Sequence, residues 1–337
     1  MTRGTKAFRI TISILLSFSM ILIALLIHDV YYLDMAMSDQ EDYGISVAGI
    51  EVTRKNQDDI LGDGTVFYDF DNKTLVFENA EIKTDKSVIN SNIDLGICLI
   101  GENKFISSSA DYTVLISAAD VYNAKDLYIY GDGSLVIEYL NTCTDSAVIQ
   151  CDDFTVLSDI TLTTPNCTNL SNGIVCDSSF KLLNGATVTV NGSSAKSHVA
   201  FRVRGNMLLE AGTTVNVSVE KGYTDLAKGI TVAGDLVIGD GASVNVSVAE
   251  DAAKTIECLR VNGLLDVGVG ATVSASSVNT YAVECYGSIK LCDDAVISAT
   301  REDGGVDIIC YGAVTDYGAT VNAELEALGK LHDKSEE

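Results

Sequence analysis

The chain repeats one pattern of short strands at nearly regular intervals. Six segments each contain a short apolar stretch, a turn, and a second stretch in which apolar and polar residues alternate; their turn residues are Gly185, Gly212, Gly241, Gly270, Asp294 and Gly318. Fainter copies place earlier turns at Asn79, Asn103, Gly133 and Asp159. Successive turns lie 24 to 30 residues apart. Such a repeat has no space for a long helix beside its strands and is typical of solenoid proteins.

The repeat predicts an all-β fold, a β-solenoid of about ten coils of roughly 24–30 residues, in which strands one coil apart pair in parallel at about 4.8 Å. Val244, Val246 and Val248 alternate with polar residues and are expected to face the core. Both ends of a solenoid are open sheet edges that need a cover. Residues 45–53 are expected to cap the first coil, and residues 324–337 to form a short helix over the last.

The N-terminus has the pattern of an export signal. Arg3, Lys6 and Arg9 precede an uncharged apolar run at residues 10–27, and acidic residues follow it. Because positive flanks stay cytoplasmic, the rest of the chain is expected outside the cell, anchored at the surface or secreted. The run is short for a membrane-spanning helix and long for a signal core, so a signal anchor and a cleaved signal peptide both stay open.

The predicted organisation follows from these two features. Residues 1–9 form a cytoplasmic segment, residues 10–27 the signal anchor or signal peptide, and residues 28–44 a spacer. The parallel β-helix domain is expected at residues 45–323, with a cap or tail at 324–337.

The strongly acidic composition limits the choice of partners. The chain has 22 basic and 47 acidic residues, a net charge of −25. No basic stripe is available to replace the counterions of nucleic-acid phosphates, so nucleic acid is not expected as a partner. The same charge argues against adhesion to anionic lipid, and membrane contact is expected through residues 10–27 only. Divalent cations and plain solubility are both compatible with it.

Residues 47–82 resemble a domain that recurs in surface proteins of anaerobic Gram-positive bacteria. The matching residues are Val47-Ala48-Gly49, Val52-Thr53, Asn56, residues 61–66, Tyr68-Asp69 and Thr74-Leu75, and strands with Gly or Asn turns continue to about Ala323. The resemblance implies a single-stranded, right-handed parallel β-helix of the pectate-lyase type. Some such domains are described as carbohydrate-binding, which implies a polysaccharide ligand. The resemblance supplies no catalytic residues.

Four tyrosines are the candidate carbohydrate-binding residues. Tyr128 and Tyr130 alternate with apolar neighbours and should point outward from one strand, while Tyr112 and Tyr122 lie in the preceding coil. Tyrosines that only stabilise neighbouring strands would give the same pattern. The predicted function is binding of a cell-wall or plant-type polysaccharide, including uronate-rich ones. The alternative is a structural stalk or adhesin that binds a protein.

The sequence LGDGTVFYDFDNK contains a candidate calcium site. Asp63, Asp69 and Asp71 could supply carboxylates to Ca²⁺, which takes six to eight oxygen ligands. The competing interpretation is two successive turns, at residues 62–64 and 69–72, because Asp and Asn side chains bind local backbone groups in turns. The spacing does not match an EF-hand loop.

An enzyme is the third interpretation. None of the three histidines, His28, His198 and His332, lies in the Gly-His-Gly motif of the polygalacturonase family, which argues against a hydrolase. A calcium-dependent polysaccharide lyase needs an Arg or Lys base, and Arg202, Arg204 and Arg260 should lie one or two coils apart. Solvated charges on outward faces explain them as well, and no catalytic residue is assigned.

Nine cysteines are present. Cys285 and Cys310 occupy the same place in consecutive repeats, 25 residues apart, and should stack one coil apart. A disulfide and an unpaired cysteine ladder are both compatible with that position.

Overall fold

The computed structural model describes residues 42–108, 116–120, 123–140, 146–167, 171–194, 197–220, 226–249, 255–278, 280–329 and 331–333, together with residues 19, 20, 22, 23, 25 and 28. Its strands form three sheets of 13, 12 and 10 strands, all built by one chain winding about one core. The fold is therefore an all-β solenoid, as the repeat predicts.

Sheet 1 begins with an antiparallel hairpin and continues as a parallel stack. Its strands are β1 (Asp42–Val47), β2 (Ile50–Thr53), β6 (Ile89–Ser91), β9 (Ile116–Asp120), β10 (Asn123–Ala124), β13 (Ser146–Cys151), β16 (Ser171–Cys176), β19 (Ser197–Val203), β22 (Leu226–Val232), β25 (Thr255–Val261), β28 (Val283–Cys285), β31 (Ile308–Cys310) and β34 (Leu325–Ala327).

Sheet 2 has the same order along the stack. Its strands are β3 (Val66–Asp69), β4 (Thr74–Glu78), β7 (Leu95–Ile100), β11 (Leu127–Gly131), β14 (Phe154–Val156), β17 (Phe180–Leu182), β20 (Met207–Leu209), β23 (Leu236–Ile238), β26 (Leu265–Val267), β29 (Ile289–Leu291), β32 (Val314–Asp316) and β35 (Leu331–Asp333).

Sheet 3 completes each coil. Its strands are β5 (Glu81–Thr84), β8 (Glu102–Ser107), β12 (Ser134–Tyr139), β15 (Asp159–Cys167), β18 (Thr187–Ser194), β21 (Thr214–Val219), β24 (Ser243–Val248), β27 (Thr272–Ser277), β30 (Val296–Arg301) and β33 (Thr320–Asn322). From β13 to β33 the chain passes through sheets 1, 2 and 3 in unbroken order, which gives about seven regular turns.

Alternation along each strand separates the core from the surface. Val244, Val246 and Val248 of β24 are buried, and the residues between them face outward, as predicted. Residues of the same kind lie in register with them in the adjacent coils. Val215, Val244 and Val273 stack directly in β21, β24 and β27. Because one apolar position repeats in every coil, the buried side chains form continuous columns along the solenoid.

The turn between sheets 2 and 3 is the most regular part of each coil. It spans four residues from β17–β18 to β29–β30, whereas the connections from sheet 3 back to sheet 1 vary in length. All six turn residues of the strong repeats have a positive φ, from +55° at Asp294 to +110° at Gly318. Glycine tolerates this backbone conformation without a steric cost, which explains its recurrence there.

The fainter repeats are only partly confirmed as turns. Asn79 has a positive φ of 50°, but Asn103 lies inside β8 and Asp159 begins β15. Asn103 is buried, and its side-chain oxygen accepts a hydrogen bond of 2.9 Å from the Ala80 amide of the preceding coil. Its side-chain amide occupies an inward position and forms a polar link between two coils. The alternation of apolar and polar residues in the sequence does not reveal such a link.

The first coils are covered by hairpins. The strands β1 and β2 pair antiparallel at the edge of sheet 1, which confirms residues 45–53 as part of the cover over the first coil. The strands β3 and β4 form a second antiparallel hairpin at the edge of sheet 2. Antiparallel pairing at these edges lets a short loop close each hairpin, whereas parallel strands need a whole coil between them.

The predicted C-terminal helix is wrong. β34 and β35 continue sheets 1 and 2 in parallel register instead. Leu325, Leu328 and Leu331 follow the spacing of a helix, but Leu325 and Leu331 also fit the successive strands of one more coil, and pairing with β31 and β32 selects the strands. No helix among the described residues is long and apolar enough to cross a membrane. Most of the apolar run at residues 10–27 lies outside those residues.

The turn geometry gives a first prediction. Gly212 has φ +73°, and no atom lies within 4 Å of the point that a Cβ would occupy, so replacement by alanine meets only backbone strain. We expect Gly212→Ala to destabilise the fold by about 1–2 kcal/mol, and Gly212→Asn to cost less because Asn adopts this conformation, as Asn184 does at φ +60°. Urea unfolding measures both; equal costs would contradict the assignment.

Candidate functional site

The strand β11 carries the two tyrosines that the sequence singles out. Leu127 and Ile129 are fully buried, whereas Tyr128 is 43% exposed and Tyr130 is half-buried. The predicted outward orientation of both tyrosines is therefore confirmed. Tyr112 and Tyr122 lie outside the described residues.

Gly96 lies beside Tyr128 in a shallow surface groove. In the outward column of sheet 2, Thr74, Gly96 and Tyr128 are direct neighbours in β4, β7 and β11. The Thr74 side chain and the Tyr130 ring occupy the space over Gly96, and the Tyr128 ring stands at the edge of the groove, which has a volume of about 510 Å³. The lining residues are Asn72, Lys73, Thr74, Asp94, Leu95, Gly96, Tyr128, Tyr130 and Leu157.

Tyr130 is held across this groove. Its hydroxyl lies 3.1 Å from the Thr74 hydroxyl, two coils away along sheet 2. A methyl group on Gly96 would lie 2.5 Å from Thr74 Oγ1 and 3.5 Å from the Tyr130 ring. Glycine is thus required for the close approach of Tyr130 and Thr74, which fixes one wall of the groove.

Aspartates form a ladder beside the groove, at the corner where the chain enters sheet 2. The Asp94 carboxylate accepts a hydrogen bond of 3.2 Å from the Asp126 amide, and Asp126 accepts one of 3.3 Å from the Asp153 amide. Asp153 in turn accepts hydrogen bonds from the amide and hydroxyl of Ser179, at 2.8 and 2.6 Å. Each side chain therefore satisfies a backbone donor of the following coil.

This ladder makes one side of the groove electronegative. Partial burial, followed by the charges of Asp126, Asp153 and Asp94, raises the pKa of the Tyr128 hydroxyl above its ordinary value. The hydroxyl therefore stays protonated and can donate a hydrogen bond at neutral pH. Lys73 supplies the one positive side chain among the groove-lining residues.

The three aspartates of the predicted calcium site are divided between two turns, Asp63 in the first and Asp69 and Asp71 in the second. Asp63 accepts hydrogen bonds from the Thr65 amide and hydroxyl, and Asp69 accepts them from the Asn72 amide and side chain. These hydrogen bonds confirm the turns at residues 62–64 and 69–72. No group of three or more His, Cys, Asp or Glu side chains in the described part of the chain is placed to hold a metal ion. The calcium site stays a prediction.

Asp69 and Asp71 instead line a second groove, of about 480 Å³, with the aromatic residues of the N-terminal hairpins. The Tyr43 ring lies 5.1 Å from the rings of both Tyr68 and Phe70, and its hydroxyl donates a hydrogen bond of 2.8 Å to Gln57. These contacts join the hairpins β1–β2 and β3–β4 across the end of the solenoid.

A second tyrosine pair was not predicted from the sequence. Tyr286 and Tyr311 follow β28 and β31, are 42% and 40% exposed, and stack with ring centroids 4.8 Å apart and planes 14° apart. The Cys-Tyr-Gly repeated in the two coils is the signal that could have indicated this pair. The guanidinium of Arg260 covers Tyr286 at 4.7 Å from the ring centroid. Both faces of Tyr286 are thus occupied within the protein.

Two of the three arginines considered for lyase chemistry form ion pairs within the protein. Arg202 and Arg260 lie two coils apart in one column of sheet 1, with Thr231 between them. Arg260 pairs with Glu257 at 3.1 Å, and Arg204 pairs with Asp177 at 2.9 Å.

Comparisons with known proteins identify no relative of this chain. No family model, no curated protein and no solved structure matches the chain.

The aspartate ladder gives a prediction on pH. Burial opposes ionisation of Asp153, but the hydrogen bonds from Ser179 outweigh it and lower the pKa of Asp153 below its ordinary value of 3.8. A lowered pKa stabilises the folded state above the unfolded-state pKa, and this contribution is lost as the pH falls through the folded-state pKa. We expect the wild-type protein to melt about 1–3 °C above Asp153→Asn at pH 6, and the difference to disappear at about pH 2.

The comparison of the two proteins isolates one carboxyl group, because the asparagine oxygen still accepts the Ser179 hydrogen bonds. Melting curves at several pH values give the measurement. A difference that persists unchanged into acid would contradict the role of the ionised carboxylate.

Proposed function

We propose that this protein is an extracellular, non-catalytic polysaccharide-binding β-helix whose ligand contacts the groove of Tyr128 and Tyr130. The observation that carries the proposal is the exposed Tyr128 ring at the edge of this groove, beside Gly96. An aromatic ring offers a large apolar face to the C–H groups of a sugar, and polar groups around it bind the hydroxyls. Here those polar groups are Asn72, Lys73, Thr74 and Asp94.

The proposal includes the finer architecture that the sequence predicts. We propose a right-handed winding and about ten coils, counting the less regular coils before β13. We also propose that residues 10–27 anchor the chain in the cell membrane or direct its secretion, so that the groove faces the outside. The apolar run, its positive flank and the resemblance of residues 47–82 support this placement.

Binding to insoluble glycans tests the groove. We expect the wild-type protein to be retained on at least one member of a panel of neutral and uronate-rich polysaccharides, and Tyr128→Ala to lose about five- to tenfold in affinity through the lost ring contact. Tyr286→Ala is the matched control, because that tyrosine is equally exposed but stacked between Arg260 and Tyr311. Equal losses in both variants would remove the groove from consideration.

A second variant tests the shape of the site. Gly96→Val places a side chain where the Thr74 hydroxyl and the Tyr130 ring lie and so separates Thr74 from Tyr130, while valine suits a strand. We expect glycan retention to fall in this variant while the circular dichroism of the fold is preserved. Retention that is unchanged although this wall of the groove has moved would show that the wall does not contact the sugar.

The panel also separates the alternative functions. Absence of retention on every glycan would favour the stalk or adhesin that binds a protein. Release of unsaturated uronates, seen as a rise in ultraviolet absorbance, would favour the polysaccharide lyase.

Calcium is proposed as a structural aid near Asp63, Asp69 and Asp71. If Ca²⁺ binds the folded protein only, added calcium raises the melting temperature and a chelator reverses the rise. We expect the double variant Asp69→Asn, Asp71→Asn to lose this response, and Asp132→Asn, an exposed aspartate of another coil, to keep it. No shift on adding millimolar calcium to the wild-type protein would reject the site.

A further inference from the structure

Two pairs of buried cysteines stack in one inward column of sheet 1. Cys151 of β13 lies in register with Cys176 of β16, and Cys285 of β28 lies in register with Cys310 of β31. All four side chains are fully buried. Between the two pairs the column continues through Val203, Val232 and Val261, and Ala327 follows the second pair.

The cysteines of this column occur only as neighbours. Valine fills the three positions between the two pairs, and alanine follows the second pair, so a small apolar side chain is sufficient for packing there. A filler role gives no reason for each cysteine to have a cysteine in the next coil. The sequence separation is 25 residues in both pairs, which is one coil in each case.

The geometry of both pairs suits a covalent link. Paired parallel strands lie about 4.8 Å apart, within the range of Cα separations of about 4.4–6.8 Å that a disulfide spans. The Cys285 thiol also approaches the Gly263 and Ser288 carbonyls at 3.5 and 3.4 Å, and the Cys310 thiol approaches the Gly287 carbonyl at 3.4 Å. The Cys258 thiol donates in the same way to the Val246 carbonyl at 3.4 Å. Cys98 lies in register with Val76 and Tyr130 rather than with a cysteine, and Cys98 and Cys292 are partly exposed.

We propose that Cys151–Cys176 and Cys285–Cys310 are two disulfide-forming sites that staple neighbouring coils of the solenoid. The oxidant is a small-molecule or protein disulfide. A thiolate of the pair attacks one sulfur of that disulfide and releases the first thiol, giving a mixed disulfide. The second cysteine, after losing its proton, then attacks the mixed disulfide and releases the second thiol. Two thiols of the protein are oxidised to one disulfide, and the external disulfide is reduced to two thiols.

Burial determines when this exchange occurs. A fully buried thiol does not meet an external disulfide in the closed solenoid, so the links form while the coils assemble. Once the coils have closed, the same burial shields the disulfides from reductants. The two links join neighbouring coils at two positions along the solenoid axis, and they hold even when the strands of those coils separate.

Peptide mapping of the full chain tests the proposal. The protein is unfolded and reduced, refolded with oxidised and reduced glutathione as the redox probe, alkylated, and digested without reduction for mass spectrometry. We expect cross-linked peptides that join Cys151 to Cys176 and Cys285 to Cys310. Recovery of these four cysteines as alkylated thiols, as glutathione adducts or in other pairings would overturn the proposal.

Variants and reduction kinetics complete the test. Cys285→Ser should remove the second link and keep the first, whereas Cys98→Ser should keep both. In the wild-type protein, we expect dithiothreitol to cleave the links at least about tenfold more slowly in buffer than in denaturant. Equal rates would contradict links inside the core. The peptide map of the wild-type chain decides the proposal even if a serine variant fails to fold.

Discussion

The structure depends on in-register pairing between the strands of successive coils. The paired residues are about one repeat apart in sequence. Each strand of the parallel stacks has its backbone donors and acceptors satisfied by the coils above and below it. This pairing fixes which residues become neighbours, so a position that faces the core in one coil faces it in the next. The columns of valine in sheet 3, and the cysteines among the valines of sheet 1, are direct consequences.

The same pairing explains where the chain tolerates variation. The four-residue turns between sheets 2 and 3 are uniform because a positive φ at one position closes each of them. The coils differ in length in the connections from sheet 3 to sheet 1. The outward-facing residues of a column can differ in size and polarity from one coil to the next. A surface site arises where such a column is interrupted. Gly96 is such an interruption, since without a side chain there the Tyr130 hydroxyl can reach the Thr74 hydroxyl beside Tyr128.

Local patterns were sufficient to predict the solenoid, the six strong turns and the inward valines. Each depends on residues close together in sequence: Gly241 lies two residues before its strand, and Val244 and Val246 alternate with polar residues within it. The orientation of Tyr128 followed from the same alternation. The groove could not be predicted in this way, because Gly96 and Tyr128 are 32 residues apart and become neighbours only through the register of β7 and β11.

The aspartate ladder has the same origin as the groove, since it joins Asp94 to the next coil's Asp126 amide. The C-terminal leucines show the opposite difficulty. Leu325, Leu328 and Leu331 fit a helix locally, and only pairing with the preceding coil places Leu325 and Leu331 in strands.

Distances along one outward column test the stacking most directly. Lys104, Thr161, Thr189, Ser298 and Asn322 lie in one column of sheet 3. Pairs of spin labels, attached at these positions without thiol chemistry, give label-to-label distances by double electron–electron resonance. We predict a rise of about 4.8 Å for each coil, hence roughly 24 Å between positions 189 and 322 and about 38 Å between 104 and 322. Distances that do not increase with the number of coils would contradict a solenoid wound about one axis.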